Sequence, residues 1–246
     1  MFDLSIATYN IHKGFSQFNR RFVLHELRER LRELNADIVF LQEVQGAHSR
    51  IHNPDGAHAQ HEFLAHENWL HHAYGKNSVY DAGHHGNAIL SRFPISGSSN
   101  RDISAHRFES RGLLHCEIEF PNINNKIHCL CVHLGLSTRG RNFQFNALVK
   151  HIQQYVPVDE PLIIAGDFND WNNRAHLQLA KELDLHEVFE SWGGALARSF
   201  PVSFPVLRLD RIYVRGLAVN HAEVHAKTPW NKISDHAALS AHVQLL

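Results

Sequence analysis

Apolar residues fall along the chain in short runs that each end in a polar cluster. Residues 162–165 (Leu-Ile-Ile-Ala) are uninterrupted apolar, which predicts a strand covered on both faces. Gly166 follows and turns the backbone without a Cβ penalty; then come Asp167, Phe168, Asn169 and Asp170. Residues 38–41 (Ile-Val-Phe-Leu) repeat the arrangement and end in Gln42-Glu43, and a strand over 4–9 ends at Asn10. A strand over 207–214 carries Asp210. A last one, over 239–245, alternates Leu239, Ala241, Val243 and Leu245 with polar residues, directly after Ser234-Asp235-His236. Residues 114–120 alternate in the same way, 122–125 make a turn and 126–134 return as the second arm of a hairpin, ending at His133-Leu134.

Helical spacing appears twice. Val23, Leu27, Leu31 and Leu34 share one face of a helix from about 19 to 35, and Phe145, Leu148, Val149, Ile152 and Val156 mark a second that Pro157 stops. Residues 86–95 read as a strand closed by a proline. Between 44 and 86 the pattern dissolves into His, Gly and Asn; a helix over 57–70 is expected, within a solvated or partner-facing loop region. Strands interleaved with helices predict a layered α/β protein. No repeat, low-complexity tract or linker interrupts it, so residues 1–246 are expected to form a single domain.

A net charge of -1 provides no basic field for non-specific nucleic-acid binding. The start of the chain lacks a basic segment followed by an apolar stretch, and no run reaches membrane-spanning length, so a cytoplasmic location is expected. Cys116, Cys129 and Cys131 sit in apolar strands and are expected as reduced core residues. The 22 histidines are unusual; protonated together near pH 6, they would swing the net charge strongly positive. His61 and His66 are spaced one residue too far for the zinc-protease motif.

The strand ends collect Asn10, Glu43, His133, Asp167, Asn169, Asp210, Asp235 and His236. Mg²⁺ takes one or two carboxylates and keeps waters and phosphate oxygens, which suits Glu43, with Asp235 and the Asn10 amide oxygen as further candidates. Histidines are poor Mg²⁺ ligands, so His133 and His236 are free for proton transfer or phosphate contacts, and Asp210 can orient one of them. Asn169 can donate to phosphate without adding charge. No nucleophile elbow and no Gly-rich phosphate loop with Lys occurs. Attack of activated water on a phosphoester is the coherent chemistry. Arg111, Arg139 and Arg141 are candidates for bidentate phosphate contacts.

Thr8-Tyr9-Asn10-Ile11, Leu41-Gln42-Glu43-Val44, Val132-His133-Leu134, Gly166-Asp167-Phe168-Asn169, Leu209-Asp210-Arg211-Ile212 and Ser234-Asp235-His236 stand in the order seen in the endonuclease/exonuclease/phosphatase superfamily. The chain resembles this family, which includes deoxyribonuclease I, exonuclease III, neutral sphingomyelinases and inositol polyphosphate 5-phosphatases, from residue 8 to 236. The resemblance implies a four-layer αββα sandwich, two mixed sheets face to face with helices outside. It implies Mg²⁺ or Mn²⁺ at Glu43 with Asn10 and Asp235 close, and His236 paired with Asp210 at the scissile phosphate. Asp167 and Asn169 would position water and phosphate, and His133 would assist the leaving side. Histidine at 133, where the apurinic-site endonuclease branch carries tyrosine, is similar to the deoxyribonuclease I-like and sphingomyelinase-like branches. The short neutral chain looks most like bacterial members without an assigned substrate.

These readings lead to a monomeric divalent-metal phosphodiesterase acting on a phospholipid head group, a nucleic acid or a small phosphoester. A DNA or RNA endonuclease or exonuclease of the same superfamily is the alternative. A catalytically silent binding module and a zinc protein built on the His-rich residues 48–85 are the readings from other classes.

Overall fold

The computed structural model describes residues 2–16, 21–49, 59–121, 126–173, 179 and 181–246. Strand β1 (Asp3–Asn10) lies parallel to β2 (Ile38–His48), and helix α1 (Leu24–Leu34) connects them. Leu24, Leu27 and Leu31 form the buried stripe of α1, which ends at Asn35 in the left-handed conformation. The helix expected from about 19 thus begins at Leu24, and residues 17–20 lie outside the described set.

The 44–86 region is more regular than its sequence suggests. β2 runs on to His48, α2 (Gln60–Ala65) is one short helix, and β3 (His71–Tyr80) pairs with β4 (Gly83–Ser91) as an antiparallel hairpin. Its packing uses rings instead of aliphatic side chains, so the apolar alternation is weak: His61 stacks on Tyr74 at 4.6 Å and meets His72 at 5.2 Å. A polar edge strand, β5 (Ile95–Asp102), follows.

The hairpin of β6 (Gly112–Ile118) and β7 (Ile127–His133) forms as expected, with the turn at 122–125 outside the described residues. Helix α3 (Thr138–Tyr155), capped where Ser137 Oγ accepts Gly140 N–H, leads to β8 (Leu162–Asp167). Then come β9 (His186–Glu187), α4 (Val188–Gly193), β10 (Asp210–Arg215), β11 (Leu217–His225) and β12 (Ala238–Leu245).

Among the described residues the strands form two six-stranded mixed sheets, ordered β11-β12-β1-β2-β4-β3 and β5-β6-β7-β8-β10-β9. Inward side chains such as Ile6, Phe40, Ile89, Cys129, Ile163 and Leu239 fill one core between the sheets. α1 and α2 cover the outer face of the first sheet and α3 that of the second. This is the four-layer αββα sandwich. Cys116, Cys129 and Cys131 are free and buried in the middle layer.

Burial also settles the fate of many histidines. His151 Nε2 meets His115 Nδ1 at 3.0 Å, His115 Nε2 meets His128 Nδ1 at 2.8 Å, and His128 pairs with Glu160. Burial, reinforced by neighbouring positive groups, pushes His115 and His151 down to about 4. A collective positive swing near pH 6 therefore excludes these residues, as it does His61, which burial also pushes to about 4.

Gly166 fixes the approach of β8 to β7. Its φ is +147°, and an added Cβ would lie 2.0 Å from the Val132 carbonyl oxygen. Gly166→Ala is therefore expected to cost roughly 2–4 kcal/mol of stability, read as a lowered denaturant midpoint. A midpoint within error of wild type would refute that close approach.

Candidate active site

Strand register sets the polar strand ends side by side. His133, ending β7, lies opposite Asp167, ending β8, and Asp167 lies opposite Asp210, which begins β10. Asn10 ends β1 in the facing sheet. Its Nδ2 donates to Asp167 Oδ2 at 3.2 Å and to Glu43 Oε1 at 3.5 Å, a clasp between the two sheets. Ser234 Oγ donates to the Asn10 carbonyl at 2.7 Å and so ties in the loop bearing Asp235 and His236.

Glu43 owes its direction to a β-bulge. The step from Leu41 to Val44 in β2 faces the shorter step from Ala88 to Gly86 in β4, and Glu43 takes a φ of 57°. Asn169, with a φ of 48°, is a second left-handed residue here. Such backbone costs about 1–3 kcal/mol per residue and collects at functional sites.

Glu43, His133, Asp167, Asn169, Asp235 and His236 line one cavity of about 380 Å³. Lys13, His85, Arg111, Trp171 and Phe200 complete much of its wall, and Asp210 lies fully buried behind His236. The fold thus brings together the residues expected for catalysis and metal binding, with Arg111 beside them. Arg139 does not join them: it is exposed in the first turn of α3. Nor does Arg141, which is buried and donates to the carbonyls of Gly135 and Leu136, its guanidinium 4.8 Å above the Trp171 ring. It supports the cavity wall from behind. Asn10 makes contacts through both of its amide atoms. Its amide oxygen accepts the His12 N–H at 3.1 Å, so it organises the two carboxylates with its nitrogen.

Lys13 and His85 were not legible as site residues. Lys13 Nζ reaches 3.7 Å from Glu43 Oε2. The turn signal of Gly14 directly after it was the one available hint.

The charges are strongly coupled. His236 Nδ1 is 2.8 Å from Asp210 Oδ2, and its Nε2 is 3.9 Å from Asp167 Oδ2. Burial alone would favour the neutral ring, but Asp210, then Asp167 and Asp235, raise His236 to about 10. Burial, reinforced by Asp210 and opposed by His236, pushes Asp167 up to about 6. Burial pulls Glu43 upward too, yet the imidazoles and Lys13 around it outweigh that and hold it at about 2. Burial and Arg111 keep His133 neutral.

Among the described residues, Asp167, Asp210 and His236 are the group of three potential metal ligands that converge. Within that group His236 Nδ1 already hydrogen-bonds Asp210 Oδ2 at 2.8 Å, with Asp167 Oδ2 3.9 Å from Nε2. Glu43 and Asp235 instead offer oxygen atoms to the cavity, a donor set that fits a hard cation. Among the described residues the histidines of the β3–β4 hairpin form no convergent cluster of three ligands; His52 and His58 lie outside the described residues.

The Endonuclease/Exonuclease/phosphatase family model matches residues 7–236. The chain belongs to this family. The uncharacterized protein YbhP of Escherichia coli (strain K12) is 47% identical over 249 residues, covering 99% of this chain and 97% of that one. Two solved structures share the family fold. The D. rerio TDP2 complex with a single-strand DNA product has a TM-score of 0.73 at 19% identity, covering 98% of this chain and 99% of that one. The Bacteroides thetaiotaomicron mannosyl-6-phosphatase Bt3783 has a TM-score of 0.75 at 16% identity, with coverage of 98% and 99%.

Because the folded-state pKa of His236 is raised, the stability it contributes is complete below about 6.5 and is lost as pH climbs through about 10. In nitrogen-detected NMR its ring should stay doubly protonated at pH 8, and Asp210→Asn should bring the titration down towards neutrality. A wild-type ring that titrates near pH 6.5 would contradict the pairing.

Proposed function

We propose that this chain is a divalent-metal-dependent phosphodiesterase in which activated water attacks phosphorus. The supporting observation is the His236 ring, held between Asp210 and Asp167 at the edge of a cavity that Glu43 and Asp235 also line. Glu43 and Asp235 would hold Mg²⁺ or Mn²⁺, with Asn10 keeping Glu43 and Asp167 apart and oriented. Bound there, the ion supplies neutralisation of phosphate charge and acidifies a coordinated water.

The remaining work falls to side chains. Asp167, a cavity carboxylate that burial pushes upward, accepts the proton of the attacking water. His236 is a standing cation, so it donates to a non-bridging oxygen and steadies the charge that gathers there. Asn169 Nδ2 gives one hydrogen to the Leu134 carbonyl at 3.0 Å and keeps the other for phosphate. Arg111 binds the phosphate from the wall, and neutral His133, 3.5 Å from Asp167, serves the leaving oxygen.

A diester is favoured over a monoester because the cavity continues past His85 and Arg111 into a second one of about 410 Å³, room for another substituent on phosphorus. A polynucleotide is less favoured, since a net charge of -1 gives no extended basic surface.

Bis-p-nitrophenyl phosphate should be hydrolysed with Mg²⁺ or Mn²⁺ and not in EDTA. His236→Ala should lower kcat by about 10²–10⁴, the usual scale for positioned proton donors and acceptors. Wild-type turnover in that variant, or undiminished activity in metal-stripped protein, would sink the mechanism. Glu43→Ala should shift the metal concentration for half-maximal activity upward, as titration of Mn²⁺ would show.

A further inference from the structure

We infer that the substrate is an asymmetric phosphodiester, with one uncharged, hydroxyl-rich arm seated in the second cavity and an apolar arm against the apolar wall of the catalytic cavity. The inference rests on the phosphodiesterase reading above. The second cavity shares His85, Arg111 and Leu136 with the catalytic one, and Ser78, His106, Ser110 and Ser137 supply much of the rest of its lining. Its volume, about 410 Å³, lies within the roughly 300–1,000 Å³ of small-molecule sites and suits a polyol or one sugar ring.

His85 stands at the junction. It pairs with Gln45 on one side and Ser78 on the other, next to register breaks in both strand pairs. Its Nδ1 has no hydrogen-bond partner within the protein. Ser137 Oγ accepts the Gly140 N–H as a helix cap, which leaves its O–H to donate into the cavity.

Charge selects the kind of arm. Glu109 borders the cavity, fixed in place because its Oε2 accepts from Ala105 N at 2.9 Å and Gln144 Nε2 at 2.8 Å. A fixed carboxylate disfavours a second phosphate on the arm. Arg111, at the entrance, disfavours a cationic group. A neutral arm that both donates and accepts hydrogen bonds satisfies both conditions.

The apolar wall of the catalytic cavity is different in kind. Trp171, Phe200, Leu207 and Leu209 line it, and the Arg141 guanidinium braces the Trp171 ring. An apolar or aromatic substituent matches that wall.

Two synthetic esters with the same leaving group test this: glyceryl p-nitrophenyl phosphate and propyl p-nitrophenyl phosphate. In both, water attacks phosphorus, the bond to the aryl oxygen breaks and p-nitrophenolate departs with the electron pair. The esters differ in two hydroxyls on the other arm. Wild type should favour the glyceryl ester in kcat/KM by about ten-fold or more, the scale for hydroxyls read by a built site. The double variant His106→Ala, Ser110→Ala should bring that ratio towards one, with its melting curve showing a folded protein. Trp171→Ala should weaken both esters alike and leave the ratio standing. A wild-type ratio near one, or a ratio that the double variant does not move, overturns this inference while the phosphodiesterase stands. Hydrolysis of neither ester nor of bis-p-nitrophenyl phosphate overturns both.

Discussion

Two carboxylates and one imidazole, nearly shut off from water, share the seam where the sheets meet. Asp210 is fully buried and Asp167 is 2% exposed, yet two like charges so placed would destabilise the fold by several kcal/mol without a counter-charge. His236 is that counter-charge, and it arrives from a loop far along the chain. The clasp from Asn10 to Asp167 and the anchor from Ser234 to Asn10 hold that loop at the seam. The same electrostatics that makes the array tolerable also sets its members apart, with the surrounding acids raising His236 and burial raising Asp167.

The backbone around this seam is not relaxed. His12, Lys13, Glu43 and Asn169 all take left-handed conformations. Asparagine accepts that region readily, but lysine and glutamate gain nothing from it by themselves. The rest of the sandwich overrides their preference: β2 bulges against β4, and β8 is pressed onto β7 at Gly166. Strain concentrated where side chains must point into a cavity is the pattern of a preorganised site.

How legible this was depended on what each segment packs against. Strands buried on both faces announce themselves as apolar runs, so β1, β2 and β8 and the polar groups at their ends could be read directly. The β3–β4 hairpin packs rings of Tyr and His, which count as polar in a periodicity, and His85 was hidden with it. Arg139 and Arg141, like Arg111, were candidates because they lie near expected strand ends. Two residues apart on a helix they face different ways, one to solvent and one into the wall. The hydrogen bond that the His12 backbone amide gives to the Asn10 oxygen is a detail no sequence records, and it leaves that oxygen one further lone pair.

Strand β1 sits between β2 and β12, so its two neighbours come from opposite ends of the sequence: Asp3 pairs with Gln244, while Ile6 pairs with Ile38. On a ribosome, β1 and β2 emerge early and wait with one bare edge for a partner made some two hundred residues later. His236 travels with that late partner. A chain still being translated therefore carries Asp167 without His236 beside it until the last strand closes the sheet.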